Sequence, residues 1–165
     1  MQFIGIPQKR VKYLKDHIKV IEKNLLVSIK FKGELIELES SDPLQEYLTK
    51  KIIHAIGQGF DINISLSLIN EENVLKIINL DEFLSPNAIQ RQIGRIVGEK
   101  GKFKKVIEEE GNVYICIQDE EVSVIGQFED VEIAVNAIQK LIGGTPHSNI
   151  RKYIVDAHAK KSGRL

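Results

Sequence analysis

One short stretch decides the fold of this 165-residue chain. It reads Arg95-Ile96-Val97-Gly98-Glu99-Lys100-Gly101-Lys102. A Gly-x-x-Gly turn lets the backbone approach a phosphate group closely, because glycine has no Cβ to stand in the way. A helix that begins directly after such a turn points its free N–H groups at the same place. We call residues 98–101 the clamp and expect it to bind an anion.

The residues on either side of the clamp matter more than its spacing, since average glycine usage yields about one such motif by chance. Apolar side chains at helical spacing precede and follow it: Ile89, Ile93, Ile96, Val97, Phe103, Val106 and Ile107. Gly111 is expected to end the second of these helices. Residues 113–117 and 122–126 alternate as strands, and residues 131–142 carry another helical stripe. The predicted order is helix, clamp, helix, strand, strand, helix.

The N-terminal part repeats a weaker version of this order without the clamp. Its patterns predict a strand, a helix, two strands and a helix, at residues 3–6, 11–21, 25–31, 35–39 and 44–56. Residues 61–70 leave two alternatives open, since strict alternation indicates a strand and Asp61 could equally cap a short linking helix.

The sequence therefore predicts an α+β protein with two domains, each a three-stranded antiparallel sheet packed on helices. The first domain covers residues 1–60 and a linker covers residues 61–73. The second domain covers residues 74–165, begins with a strand at residues 74–80, and ends in a basic terminal helix.

Charge is segregated along the chain although the net charge is zero. Residues 88–105 hold six Lys or Arg against one Glu, and residues 147–165 hold five against one Asp. Residues 108–132 hold nine acidic side chains and no basic one. A basic edge at the clamp attracts phosphate locally, because charges act over only about 8–10 Å in physiological salt. The alternative is that these are ordinary solvated helix faces.

Several function classes find little support in the sequence. No apolar run reaches the roughly 18 residues of a membrane span, and the first residues lack a secretory pattern. A single cysteine, Cys116, fits a reducing, cytoplasmic setting and a small apolar role in a strand. We therefore expect a cytoplasmic, monomeric protein.

An enzyme is the first rival interpretation. A nucleotide-hydrolysing phosphate loop needs Gly-x-x-x-x-Gly-Lys-Ser/Thr, but Ile96 stands at its first glycine and Phe103 at its last position. The four histidines lack the spacing of zinc ligands. We expect no catalytic residue, cofactor or metal. A protein-binding scaffold is the second rival, served by residues 108–132 and by the clampless N-terminal part.

Four features together resemble a known family. They are Gly57-Gln58-Gly59-Phe60, the strand at residues 74–83 that leads into an acidic turn, the stretch from Gln92 to Lys102, and Gly143-Gly144-Thr145-Pro146-His147-Ser148-Asn149. In these the chain resembles the two-KH-domain ribosome-assembly factors of archaea and eukaryotes, the partner of Nob family. The resemblance implies two type I KH domains that bind single-stranded RNA.

The resemblance also implies where such a protein acts. It suggests binding to the 3′ region of small-subunit ribosomal RNA during ribosome assembly and pre-rRNA 3′-end maturation. The endonuclease that trims this end and the alpha subunit of translation initiation factor two would be partners. A general RNA-binding or translation-related scaffold, contacting proteins through the clampless domain, is the alternative.

The N-terminal part departs from the family pattern, since no glycine lies between Gly5 and Gly33. The pattern indicates a clamp that was deleted, with two short helices fused, and hence a degenerate KH domain. Packing or protein contact is then expected there, although Lys9, Arg10, Lys12, Lys15 and Lys19 could still touch phosphate.

The candidate RNA-binding residues are Arg91, Arg95, Ile96, Gly98, Glu99, Lys100, Gly101, Lys102, Lys105, Ile115, Arg151 and Lys152. A KH clamp contacts the phosphates of about four nucleotides through its backbone. The lysines add charge, and Arg91 and Arg95 extend a basic rim one helical turn apart. Ile96 and Ile115 would floor a groove for the bases, or equally be plain core.

Overall fold

The computed structural model describes residues 2–163, so that Arg164 of the predicted basic tail lies outside the described residues. The helices are α1 (Gln8–Leu25), α2 (Pro43–Gln58), α3 (Ile62–Leu66), α4 (Pro86–Val97), α5 (Lys102–Gly111), α6 (Phe128–Ile142) and α7 (His147–Lys161). The strands are β1 (Gln2–Ile4), β2 (Ser28–Lys32), β3 (Leu35–Glu39), β4 (Asn73–Asn79), β5 (Tyr114–Gln118) and β6 (Glu121–Gln127).

The described chain divides into two compact units between Glu71 and Glu72, inside the predicted linker. We call residues 2–71 unit 1 and residues 72–163 unit 2. Each holds a three-stranded antiparallel sheet packed on helices, in the spatial orders β1-β3-β2 and β4-β6-β5. The predicted α+β class is confirmed. None of the helices in residues 2–163 combines the length and apolar character that crossing a membrane requires.

In unit 1 the long helix α1 packs beside α2. Its apolar stripe puts Leu14 and Ile21 fully in the core, as the helical spacing predicts. The start of α2 is capped by the Asp42 carboxylate, which accepts the N–H of Leu44 at 2.9 Å. Pro43 occupies the first helical position, where its missing N–H costs nothing.

Two details of unit 1 differ from the sequence-based prediction. The strand expected at residues 25–31 begins only at Ser28, because α1 continues to Leu25. Leu26 then adopts the left-handed conformation (φ 51°) as the C-cap and is 82% exposed, which a hydrophobic pattern does not reveal. Residues 62–66 are helical, and the Asp61 carboxylate caps them by accepting the N–H of Ile64 at 2.8 Å. These residues therefore follow the linking-helix alternative, and the alternation of apolar and polar residues does not mark a strand here.

In unit 2 helices α4 to α7 build one core with the sheet β4-β6-β5. Ile150 and Ile154 bring α7 into this core. The C-terminal end of α7 is fixed by Lys161, whose ammonium group donates to the buried Asp130 carboxylate at 2.7 Å. This hydrogen bond raises the pKa of Lys161 above its ordinary value.

The end of α5 differs from prediction in one residue. Gly111 is the last helical residue and is buried, while Asn112 takes the left-handed position (φ 54°). Asparagine tolerates this conformation better than other non-glycine residues. The Asn112 side chain also donates to Asp130 at 3.3 Å.

Several contacts recur at the same sequence separations in the two units. The Arg10 guanidinium donates to the carbonyls of Ile56 and Phe60, which lie 46 and 50 residues further along the chain. Arg95 donates to carbonyls at the same two separations in unit 2. Each unit also has a glutamate that accepts the N–H of a strand residue seven positions later, Glu22 in unit 1 and Glu108 in unit 2.

The matched contacts also locate the difference between the units at the clamp, where α1 is a single helix as the fused-helix interpretation expects. Eleven residues separate Arg10 from Glu22, and twelve separate Arg95 from Glu108. The segment before each glutamate even reads the same, Lys-Val-Ile-Glu. Between the matched arginine and glutamate, unit 1 is therefore only one residue shorter than unit 2. These residues continue α1 as one helix, whereas those of unit 2 turn through the clamp.

Candidate nucleic-acid interface

The clamp is a tight turn between α4 and α5 with three residues at positive φ. Gly98 has φ +75°, Lys100 +56° and Gly101 +76°. The Gly98 N–H donates to the Gly94 carbonyl at 2.9 Å, and the Gly98 carbonyl accepts the Gly101 N–H at 3.2 Å. Lys100 is strained, since the left-handed region costs a non-glycine residue about 1–2 kcal/mol. Strain of this kind clusters at functional sites.

The two glycines serve different needs. A Cβ on Gly98 would stand 2.6 Å from the Phe103 Cβ and 2.9 Å from the Phe103 backbone nitrogen, so no side chain fits. At Gly101 nothing lies within 4 Å of the Cβ position, and only the positive φ favours glycine. The backbone at Gly101 therefore faces open space, where a ligand can approach.

The start of α5 makes this open surface suitable for an anion. Gly101 is the N-cap and has no side chain to satisfy the first N–H groups of the ten-residue helix. The helix dipole places partial positive charge at the same end. Lys100 and Lys102 are exposed beside it, as is Glu99. The structure thus brings the central predicted residues together around one turn.

Arg95 has a different role from the predicted basic rim. Its guanidinium donates to the Leu141 carbonyl at 2.6 Å and to the Thr145 carbonyl at 3.0 Å. These bonds satisfy carbonyls at the end of α6 and in the connector to α7. Arg95 therefore holds unit 2 together, whereas Arg91, one turn earlier, is exposed.

Ile96 and Ile115 both lie in the hydrophobic core of unit 2. Ile96 is 0% exposed and Ile115 is 2% exposed, so neither presents a surface to a base. Ile93, Val97 and Ile117, in the same two elements, stay partly exposed.

Glu108 is a site residue that the sequence did not reveal, because it lies in a run of three glutamates. Its Oε2 accepts the backbone N–H of Ile115 at 3.1 Å, and its Oε1 accepts from Lys104 Nζ at 3.2 Å. Glu108 therefore ties α5 to the edge strand β5 and occupies one outward-facing N–H of that strand. The only signal in the sequence is the matching Lys-Val-Ile-Glu segment of unit 1.

The remaining predicted residues lie further from the clamp turn. Lys105 is exposed and lines a shallow depression with Glu108, Glu109 and Tyr114. Arg151 pairs with Glu110 at 3.0 Å across α5 and α7. Lys152 is exposed on α7.

His147 and Phe103 form a second feature that sequence patterns did not single out. Their rings stack with centroids 4.0 Å apart and an interplanar angle of 20°. His147 Nε2 lies 2.9 Å from the Arg95 carbonyl oxygen. Since a carbonyl only accepts, Nε2 carries the hydrogen.

A metal centre finds no support in this part of the chain. Within residues 2–163 no three His, Cys, Asp or Glu side chains are grouped so that they could hold a metal ion.

Unit 2 is a KH domain, because its element order, its antiparallel sheet and its clamp are together those of this class of domain. The family model of the second KH domain of PNO1, a eukaryotic-type KH domain (KH-domain type I), matches residues 74–159. With this match over about half of its length and the relatives described next, the chain belongs to the partner of Nob family of KH-domain ribosome-assembly factors.

Two curated relatives illustrate this membership. The KH domain-containing protein MJ0443 of Methanocaldococcus jannaschii is 30% identical over 164 residues, which cover 93% of this chain and 72% of that protein. The pre-rRNA-processing protein pno1 of Schizosaccharomyces pombe is 27% identical, with 100% of this chain and 74% of that protein covered. Against the RNA-binding protein pno-1 of Caenorhabditis elegans the match spans 64% of that protein's length.

Solved structures show the same fold. The crystal structure of Dim2p from Pyrococcus horikoshii OT3 has a TM-score of 0.83 at 32% identity, covering 93% of this chain and 96% of that one. A chain of the a/eIF2alpha–aDim2p–rRNA complex from the same organism has a TM-score of 0.85 at 30% identity, with 99% and 94% covered.

Proposed function

We propose that the chain binds single-stranded RNA through the clamp of unit 2, as part of ribosome assembly. The observation that carries this proposal is the backbone of residues 98–101, where positive φ angles and an uncapped helix start leave N–H groups open to a phosphate. The match of unit 2 to a KH family model supports the same ligand, because KH clamps hold about four nucleotides of a single strand.

In this mechanism the phosphates set the position of the strand and the bases set its sequence. Backbone N–H groups near Gly101 take the phosphates, with Lys100 and Lys102 adding charge. Arg91, rather than Arg95, extends the basic rim. Lys105, Arg151 and Lys152 contribute longer-range attraction, reduced for Arg151 by its pairing with Glu110.

The edge strand β5 supplies the groups that read a base. Outward-facing backbone groups alternate along a strand, and the Ile115 N–H is already taken by Glu108. The next outward pair belongs to Ile117. We propose that a base lies over Ile93, Val97 and Ile117 and pairs its edge with the Ile117 backbone.

We propose further that unit 1 is a degenerate KH domain. It has the same strand arrangement as unit 2, and Arg10 and Glu22 repeat the contacts of Arg95 and Glu108. It lacks the clamp. Lys15 places its ammonium group 5.0 Å from the ring centre of Phe31, across the space between α1 and β2. Unit 1 then offers charge to RNA but no phosphate cradle.

The 3′ region of small-subunit ribosomal RNA is the ligand that we propose, with a role in pre-rRNA 3′-end maturation. The relative from Pyrococcus horikoshii was crystallised with rRNA and a/eIF2alpha, and relatives are named as pre-rRNA-processing proteins. We propose the 3′-end endonuclease and the alpha subunit of initiation factor two as protein partners on the family resemblance.

Three of the nine acidic side chains of residues 108–132 serve contacts inside unit 2, while Glu109, Asp119, Glu120, Glu129 and Glu132 stay exposed and leave the rival scaffold function open. Glu108, Glu110 and Asp130 are paired inside unit 2 with Lys104, Arg151 and Lys161. These carboxylates hold the fold and do not present a free acidic surface.

A double substitution of the exposed clamp residues tests the proposal. Glu99→Asp with Lys100→Asp puts two carboxylates beside the phosphates, and we expect RNA affinity to fall at least about tenfold, or ~1.4 kcal/mol. Lys50→Asp on the exposed face of α2 changes the net charge equally and serves as the control. Unchanged affinity in a folded double variant contradicts RNA binding by the clamp.

Salt provides an independent check on the same complex. For single strands log K falls with log[salt] by about 0.7 per phosphate neutralised. Wild-type affinity should therefore fall steadily with added salt, and a flat response would argue against RNA as the main ligand.

A further inference from the structure

His147, the first residue of α7, contacts residues on both sides of the clamp. The His147 ring stacks on Phe103 at 4.0 Å, and Phe103 is the residue that a Cβ on Gly98 would strike. Phe103 itself is only 8% exposed. The backbone and Cβ of Phe103 therefore lie against Gly98, while its ring stacks on His147.

Hydrogen bonds also join the end of α4 to the segment that begins α7. His147 Nε2–H donates to the Arg95 carbonyl at 2.9 Å. The Arg95 guanidinium in turn donates to the carbonyl of Leu141, near the end of α6, and to that of Thr145, in the connector to α7. The last turn of α4, which leads directly into the clamp, is thus held by the residues that begin α7.

We propose that His147 is a positioning residue for RNA binding, which sets the geometry of the clamp through Phe103 and Arg95. The inference rests on the proposed function, because it concerns how the clamp is held and not whether it is the site. Stacking keeps Phe103 against Gly98, and the hydrogen bond keeps the end of α4 in place. Together they fix the directions of the N–H groups at residues 98–102.

Unit 1 supports this assignment by contrast. The corresponding connector there, after Phe60, contacts α1 through a side chain, because the Ile62 N–H donates to the Tyr13 hydroxyl at 2.8 Å. Tyr13 lies in an unbroken helix with no clamp to position. The ring pair of unit 1, Tyr13 with His17 at 4.2 Å, lies within α1 alone. In unit 2 the stacked histidine joins α7 to the first turn of α5, directly after a clamp that holds three residues at positive φ.

Three substitutions separate the two contacts of His147. His147→Phe keeps the ring stack, His147→Gln keeps a hydrogen-bond donor, and His147→Ala removes both. We expect His147→Ala to lower RNA affinity about tenfold, and each of the other two to lower it less. Ser148→Ala, at the next exposed position of α7, is the control and should bind as wild type.

A double-variant cycle distinguishes positioning from direct contact with RNA. If His147 acts through the clamp, His147→Ala should add little to the loss already caused by Glu99→Asp with Lys100→Asp. Amide chemical shifts of residues 98–101 should also move in His147→Ala without RNA. Substitution of a structural residue remote from the clamp would alter neither the RNA affinity nor these amide shifts.

Each outcome decides the proposal. Wild-type affinity in folded His147→Ala overturns it, and so does a fully additive cycle, which would mean that the ring contacts RNA independently. Should His147→Ala fail to fold, equal wild-type affinity in both His147→Phe and His147→Gln overturns it. If wild-type protein itself binds no RNA, the proposed function fails, which is a different result from this one.

Discussion

At the residue scale, Gly98 combines two requirements that no other residue type meets. Its φ of +75° favours glycine, and Phe103 fills the space that a Cβ would need. Gly94, one turn earlier, is a matched contrast, because it lies inside α4 and nothing lies within 4 Å of its Cβ position. The two glycines should therefore respond in opposite ways to the same substitution.

We predict that Gly98→Ala lowers the free energy of unfolding by about 2 kcal/mol or more, since strained backbone positions cost about 1–3 kcal/mol each. Gly94→Ala should be neutral or stabilising by about 0.5–1 kcal/mol, because alanine is favoured inside a helix. Denaturant unfolding of both variants measures this. Equal effects would mean that the turn at Gly98 is not held as described.

Residue by residue, the sequence predicts buried positions better than the partners of polar groups. The helical stripe at Ile89 and Ile96 is confirmed, as both are buried. Arg95 looks like a second Arg91 in the sequence, one helical turn away. Only the fold shows that carbonyls 46 and 50 residues later take its guanidinium, because such partners depend on how distant segments pack.

At the element scale, the comparison of α1 with the clamp-interrupted pair α4 and α5 is the most informative. Each contains an arginine and a glutamate that make matching contacts. In α1 the intervening residues form a continuous helix, and Lys12, Lys15 and Lys19 are exposed along it. Without the turn, the first N–H groups of a second helix are not available to a phosphate.

We predict that replacing Lys12, Lys15 and Lys19 together with Gln weakens RNA binding less than about threefold at physiological salt, or ~0.6 kcal/mol. Charge there attracts RNA at long range but does not cradle a phosphate. Binding assays on this triple variant and on Glu99→Asp with Lys100→Asp make the comparison. Losses of similar size would show that unit 1 holds an RNA site of its own.

The sequence mispredicts the end of a helix where a non-glycine residue takes the left-handed conformation. Leu26 and Asn112 both end helices this way, and neither residue type signals it reliably. The segment after Asp61 fails for another reason, since its alternation of apolar and polar residues indicates a strand while its side-chain cap starts a helix. Local hydrogen bonding outweighs periodicity over so few residues.

At the scale of the whole molecule, the chain has no net charge, but its acidic and basic residues are segregated along the sequence. The acidic side chains Glu108, Glu110 and Asp130 are consumed by contacts within unit 2. The lysines at the clamp remain exposed. Net charge alone would have argued against a nucleic-acid ligand, and the distribution explains why a KH domain can still work here.

The central claim is that one clamp reads a particular stretch of RNA. Its most direct test is the affinity of the protein for short oligonucleotides tiled along the 3′ end of small-subunit ribosomal RNA, at one salt concentration. We predict that one or two neighbouring oligonucleotides bind about tenfold more tightly than the rest, or ~1.4 kcal/mol, and that Glu99→Asp with Lys100→Asp removes this preference. Equal affinity for every oligonucleotide, or a preference that survives in the variant, would contradict it.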